Sequence, residues 1–182
     1  MTKKIGFIIG SLRKESWNRK VAMVVKTLFP EDYDVEILEI SQLPLYNEDL
    51  DQEGSEDENF LAFREKLAEK DGVVFFTPEY NRSVSAAVKN ALDVGSRGAK
   101  NFWSGKPVAV ASASTGQSGA MSGSLTLQQS FSLLNIHPMG QPEVYLANVA
   151  NYFDENGEMI ADTRAFLQTF VDAYVKHMAI FE

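Results

Sequence analysis

A chain of 182 residues with no obvious break has room for a full hydrophobic core, so one domain over residues 1–182 is expected. It contains no cysteine, which removes disulfides, thiolate metal sites and cysteine nucleophiles and fits a reducing, cytoplasmic setting. Its 17 basic and 25 acidic residues leave a net charge of −8, which argues against a nucleic-acid partner, and no apolar run nears the ~20 residues of a membrane span.

The first expected element is KIGFII (4–9), a nearly continuous apolar run of the kind found in strands covered on both faces. It follows a short basic start, but it is too short for a secretory signal and a polar loop follows at once. That loop, GSLRKESWN (10–18), lacks the glycines of G-x-G-x-x-G and the G-K-[ST] of a P-loop. It offers hydroxyls at Ser11 and Ser16, an amide at Asn18 and a charge at Arg13. A following helix would point its free N–H groups into the same space. The set suits a terminal phosphate monoester. Alone, Ser16 reads as a helix cap and Arg13 as a solvated side chain; the cluster is what points to an anion. The helix carries Trp17, Val21, Val24, Val25 and Leu28 at helical spacing and ends before Pro30.

DVEILEI (34–40) mixes apolar and acidic positions, as a strand near a sheet edge does. In NEDLDQEGSEDE (47–58) seven of twelve positions are acidic, without the EF-hand spacing, and the stretch reads as a solvated loop and not a metal site. Phe60, Phe63 and Leu67 mark a second helix, and GVVFFT (72–77) a third strand. In TPEYNRSVSAAVKNALD (77–93), Pro78 stiffens the strand exit, Tyr80 offers a flat ring and Asn81 suits a turn. Ser83 or Ser85 can cap a helix bearing Val84, Val88, Ala91 and Leu92. Such a loop fits an ordinary turn or the border of a planar heterocycle. KPVAVASA (106–113) is the fourth strand. The loop ASASTGQSGA (111–120) after it is small and hydroxyl-rich, which lets a flat ligand lie close to the backbone at Ser114, Thr115 and Gly116. A looser helical stripe runs from Met121 to Leu134, PEVYLAN (142–148) is a fifth strand, and Asn156-Gly157 is a turn. Phe166, Phe170, Tyr174 and Met178 share one face of a last helix. His137 and His177 read as structural, and the nucleophile elbow G-x-S-x-G is absent.

Strands alternating with helices imply right-handed crossovers and a parallel sheet. The expected class is α/β, a flavodoxin-like three-layer sandwich with five parallel strands in the order 2-1-3-4-5 and helices on both faces. Ligands then bind beyond the carboxyl ends of the strands, at the switch point between the first and third.

Three motifs, GSLRKESWNRKVA, PEYNRSVSAAVKNALDVGSR and SASTGQSGA, together resemble the NADPH-dependent FMN reductase family, also described as NAD(P)H:quinone or chromate reductases, over about residues 4–135. The resemblance implies FMN with its phosphate held by Ser11, Arg13, Ser16 and Asn18. It implies an isoalloxazine bordered by Pro78, Glu79, Tyr80 and Asn81, largely through backbone groups, and approached by Ser114 and Gly116. No side chain takes an acid–base role, because the flavin carries the chemistry. NADPH or NADH would serve as co-substrate, and the electrons would pass in a ping-pong cycle to a quinone, azo compound, metal oxyanion or free flavin. A homodimer or homotetramer is implied as well. The alternative is a flavodoxin-type FMN electron carrier that does not oxidise NAD(P)H, against which the PEYN loop and the helix after it argue. Three departures from the family pattern bear on the substrate face and the subunit contact. Arg82 stands where a small residue is common, Ser85-Ala86 where Pro-Gly is common, and Gly119-Ala120 where a glycine pair is common. Arg13, Lys14, Arg82 and Arg97 are the cations available for a nucleotide 2′-phosphate.

Overall fold

The computed structural model describes residues 2–181. The chain runs β1 (Lys3–Ile9), α1 (Trp17–Lys26), β2 (Tyr33–Ile37), α2 (Glu58–Ala68), β3 (Gly72–Thr77), a hairpin of β4 (Glu79–Tyr80) and β5 (Ser83–Val84), α3 (Ala86–Gly95), β6 (Pro107–Ala113), α4 (Met121–Gln128), β7 (His137–Pro138), β8 (Val144–Leu146) and α5 (Ala161–Met178). The sheet order is β2-β1-β3-β6, with all pairs parallel, and β7 and β8 both pair in parallel with the far side of β6. This is the flavodoxin-like order expected from the sequence, with its fifth position divided.

Each strand alternates its side chains between two cores, as a period of two requires. Ile5, Phe7 and Ile9 of β1 and Val74 and Phe76 of β3 face α1 and α5, where Val21, Val25, Leu167, Phe170 and Tyr174 complete one core. Ile8, Val73, Phe75 and Val108 face the other side, against Phe60, Phe63 and Leu67 of α2, Val88 and Leu92 of α3, Leu127 of α4 and Trp103. The Trp103 indole donates to the Leu92 carbonyl at 3.0 Å, so its buried N–H is satisfied. The Tyr174 hydroxyl lies 3.1 Å from the Val73 carbonyl and 3.0 Å from that of Pro107. Burial drives its pKa well above the ordinary phenol value, so it stays a neutral donor.

Three local expectations change. The fifth strand, expected over 142–148, is the short β8, in register as Ala111 with Val144, and a further short strand outside that span, β7, shares its edge of β6, in register as Pro107 with His137. Pro138 and Pro142 carry no N–H, so a continuous ladder through them is impossible. The fourth helix ends at Gln128, and turns carry the chain on to Asn135 at φ 53°. Phe131 and Leu134 are still buried there, so the apolar stripe reported burial and not helical continuity. Finally, the acidic segment is not simply solvated. The Asp51 side chain is 2 % exposed and accepts two bonds, at 2.6 and 2.7 Å, from an Arg64 guanidinium that is itself 5 % exposed. Arg64 Nε donates to the Val94 carbonyl at 2.9 Å. The segment is thus pinned across α2 and α3.

Candidate functional site

The loops that leave β1, β3 and β6 meet at the carboxyl end of the sheet, and hydrogen bonds tie them to one another. In the first, Ser16 takes the cap position of α1, its hydroxyl accepting from the Arg19 N–H at 3.1 Å. No acidic residue lies in the first turn of α1, so its positive end stays uncompensated. Asn18 is 4 % exposed and donates from Nδ2 to the Ala113 carbonyl at 3.0 Å, which joins the first loop to the end of β6. Its Oδ1 is buried and, among the described residues, has no hydrogen-bond partner. An unmet buried acceptor costs about 1–3 kcal/mol, so this atom calls for a donor from a ligand or a water.

The second loop is pressed against the first. Gly10 donates to the Phe76 carbonyl at 2.8 Å and accepts from the Ser85 hydroxyl at 2.9 Å. Ser85 also caps α3, which places Ser85 and not Ser83 in that role. A Cβ on Gly10 would lie 2.6 Å from Val88 Cγ2 and 2.8 Å from Pro78 Cδ, so only glycine permits this approach. Beyond Pro78 the chain folds into the β4–β5 hairpin, whose turn residues Asn81 and Arg82 both have positive φ, 53° and 63°. That is the geometry of a two-residue type I′ turn. Tyr80 stands 47 % exposed beside it.

The third loop is held from both sides. The Glu79 carboxylate accepts from the Ser122 N–H at 2.9 Å and the Gly123 N–H at 3.3 Å. The cap residue of α4 is Ala120, at φ 63°, which has no side-chain acceptor, so Glu79 does the capping from across the cleft. On the other side, Ser114 N–H donates to the Leu146 carbonyl at 3.1 Å and Asn148 N–H to the Gly116 carbonyl at 2.9 Å. Ser112 donates to the Gly119 carbonyl at 2.7 Å.

Two adjoining openings result. A cavity of about 140 Å³ is lined by Ser11, Arg13, Trp17, Asn18, Pro78, Glu79, Tyr80, Ala113, Ser114 and Thr115. Beside it, sharing Glu79, is a more open cleft of about 670 Å³ lined by Glu79, Asn81, Arg82, Gly116, Gln117 and Ser118. Of the residues singled out in the sequence, Ser11, Arg13, Asn18, Pro78, Glu79, Tyr80, Ser114 and Thr115 line the cavity, while Glu79, Asn81, Arg82 and Gly116 line the cleft. Ser16 lines neither and acts from beneath, as the cap of α1. The sequence reading did not place Trp17 or Gln117 at the site. Gln117 follows Gly116 in the small-residue loop, but Trp17 read as core because its spacing matched the apolar face of α1. A third cavity, of about 600 Å³ between α3 and α4, holds none of the residues expected to bind the flavin, though Arg97, one of the cations considered for a nucleotide phosphate, lines it.

The sequence model of the NADPH-dependent FMN reductases matches residues 3–151. The chain belongs to the NADPH-dependent FMN reductase family. It is an oxidoreductase, and FMN with NAD(P)H is the cofactor system of that family. A quinone reductase of Pseudomonas putida is 45% identical over 171 residues, covering 93% of this chain and 91% of the relative. A 2-hydroxy-1,4-benzoquinone reductase of a Burkholderia species is 39% identical over 176 residues, covering 96% and 95%. Among solved structures, the NAD(P)H:acceptor oxidoreductase FerB of Paracoccus denitrificans superposes with a TM-score of 0.90 at 34% identity, covering 98% of each chain.

The residues present fit the family's cofactor. A single terminal phosphate needs one compact anion site, and Ser11, Arg13, Asn18 and the amino end of α1 surround one cavity. Among the described residues the Arg13 guanidinium has no ion-pair partner, so its charge is available. The orphaned Asn18 Oδ1 is an acceptor, so it would take a hydroxyl of the ligand and not the phosphate. The cavity is further lined by Pro78, Glu79 and Tyr80 from one loop and the small Ala113, Ser114 and Thr115 from another, with the Tyr80 ring available to a flat ligand.

Proposed function

We propose that the chain acts as one FMN-binding unit that oxidises NAD(P)H and reduces quinones in a ping-pong cycle. The observation that carries this reading is the hydrogen-bonded convergence of three loops on one phosphate-sized cavity with an open cleft beside it. Ser11, Arg13 and the amino end of α1 would hold the phosphate, with Ser16 fixing the turn that presents them. Asn18, expected there from the sequence, has its Nδ2 held by Ala113 and would instead accept from a ligand hydroxyl through Oδ1. The backbone of Pro78 to Asn81 and of Ser114 to Gly116 would border the ring. When bound, FMN supplies the redox chemistry, taking a hydride from NAD(P)H and passing two electrons to the acceptor, with protons drawn from solvent. The side chains bind and orient; none is placed to shuttle a proton. Glu79, the one carboxylate lining the cavity, is engaged by two N–H groups of α4. The cleft is open enough for nucleotide and acceptor to use it in turn. Quinones stand first among acceptors because relatives over nine-tenths of the chain are named for them. Azo compounds, metal oxyanions and free flavin are the further candidates.

The test is anaerobic mixing of the FMN-loaded protein with NADPH, then NADH. Bleaching of the flavin, release of oxidised nucleotide and recovery of colour on adding quinone support the cycle. A flavin that stays oxidised with both nucleotides leaves an electron carrier instead. Self-association as a homodimer or homotetramer belongs to the same reading. It is supported by the exposed Met121, Leu125 and, at 89 %, Leu133, on and beyond α4. Sedimentation equilibrium decides it. A cytoplasmic setting is supported by the cysteine-free sequence, and no helix among the described residues is long and apolar enough to cross a membrane.

A further inference from the structure

Arg82 is the charged residue of the cleft that this chemistry leaves unused. It occupies the second turn position of the β4–β5 hairpin at φ 63°. That left-handed conformation is unfavourable for L-residues, less so for asparagine, and free of penalty for glycine. Asn81 before it is a residue type suited to the turn; an arginine is not, so the turn geometry by itself does not account for its presence. Among the described residues its guanidinium has no hydrogen-bond, ion-pair or ring partner. It lines the cleft of about 670 Å³ with Asn81, Gly116, Gln117, Ser118 and Glu79. The Glu79 carboxylate is turned to the N–H groups of Ser122 and Gly123 at the start of α4, so its charge is opposed there. Arg82 is then the one cation among the residues that line this cleft, on a protein whose net charge is −8.

We propose that Arg82 makes the acceptor side of this cleft an anion-recognising subsite, so that a planar anion is preferred over a neutral acceptor of the same size. The chemical class is a quinone carrying an ionised hydroxyl next to a carbonyl. Such an anion offers two neighbouring oxygens to the planar guanidinium fork, which binds paired oxygens through two parallel hydrogen bonds. Gln117 and Asn81 add neutral donors around it. What is turned over rests on the quinone-reductase reading above; what is bound does not.

The experiment uses the FMN-loaded full chain with Arg82→Gln, which keeps the backbone strain and a polar amide but removes the charge and shortens the side chain, and Arg82→Gly, which also relaxes the turn. Binding is read without turnover, by titrating the oxidised protein with benzoate and with its neutral analogue benzamide and following flavin absorbance. Benzoate should bind both variants about ten-fold more weakly than the parent, and benzamide equally to all three. The difference should collapse as ionic strength rises from about 0.01 to 1 M, where the screening length falls from about 30 to 3 Å. In turnover with NADH and with NADPH, kcat/KM for 2-hydroxy-1,4-benzoquinone should fall about ten-fold in both variants while that for 1,4-benzoquinone holds. Equal benzoate affinity in all three proteins, or no benzoate binding to the parent, overturns the proposal. So does a loss shared equally by both quinones, or one that follows NADPH against NADH, which would mean that Arg82 reads the nucleotide. A parent that reduces neither quinone sinks the reductase reading, and the benzoate titration still decides Arg82. Arg82→Gly should melt no lower than the parent, so a binding loss in it is not a folding loss.

Discussion

Arg13 and Glu79 carry opposite charges within one cavity and have different jobs. Arg13 is exposed, lacks an ion-pair partner among the described residues and sits beside the bare Asn18 Oδ1. A net hydrogen bond to a charged group contributes about 1.5–3 kcal/mol. Arg13→Ala should therefore weaken FMN about ten- to a hundred-fold, at ~1.4 kcal/mol per decade. Riboflavin, which lacks the phosphate, should bind parent and variant alike. Titrating both ligands at low and high salt checks this, and an equal loss for the two would make Arg13 a pocket-shaping residue. Glu79 belongs to the structure of the site instead. Because Glu79 supplies, among the described residues, the only side-chain cap of α4, Glu79→Ala should cost about 0.5–2 kcal/mol in a urea melt and loosen flavin binding with it. If Glu79→Gln instead abolished turnover with the melt unchanged, the carboxyl would be a proton donor and the capping account would be wrong.

Close backbone approaches join the side-chain ties in positioning the elements. The start of α4 lies against the strand exit at Pro78, and a Cβ on Gly123 would stand 2.7 Å from the Pro78 carbonyl oxygen and 3.1 Å from Glu79 Cα. Both neighbours are backbone, so neither yields by rotating a side chain. Gly123→Ala should push the hairpin away from α4, costing about 1–3 kcal/mol, the usual range for overpacking. Gly140 has nothing within 4 Å of an added Cβ and is the matched control. Thermal melts and FMN titrations of the two variants make the comparison. Equal behaviour would mean that the cleft wall is not set by this contact. The same economy explains the divided fifth strand: prolines interrupt the ladder, yet β8 still carries the Leu146 carbonyl that holds Ser114 in the third loop.

At the scale of the whole molecule, the parallel sheet sets the site at one end and the Asp51–Arg64 pair holds the long acidic segment to the face of α2 and α3. The two bonds from Arg64 hold the Asp51 carboxyl below the usual carboxylate range. A carboxyl whose folded pKa is depressed contributes stability that is present above its unfolded value of about 3.9 and lost as pH falls through the folded value. Glu36, lowered by its bond to Lys70 and then by Lys66, acts in the same direction. The urea midpoint of the parent should therefore drop on acidification below about pH 4. Asp51→Asn leaves Arg64 buried and unpaired, and should lose about 3–5 kcal/mol near neutrality. Its midpoint should then fall less steeply with acid than the parent's. Parallel pH profiles for the two proteins would show that Asp51 carries no acid-linked stability.

The sequence by itself determined the class of fold, the sheet order and the three loops to inspect. Continuous apolar runs such as GVVFFT admit few environments other than a sheet covered on both faces, and their alternation with helical spacing limits the topology. That Ser11, Arg13 and Asn18 line one cavity was legible because they are neighbours along one loop. Only the tertiary structure decided what depends on partners far away in the chain. That the Asn18 amide is spent on Ala113, that Glu79 caps a helix 43 residues later, and that Asp51 is buried against Arg64 are all contacts between distant segments. Local pattern carries the backbone's preferences, and it carries nothing about which distant donor will meet a given acceptor once the sheet has formed.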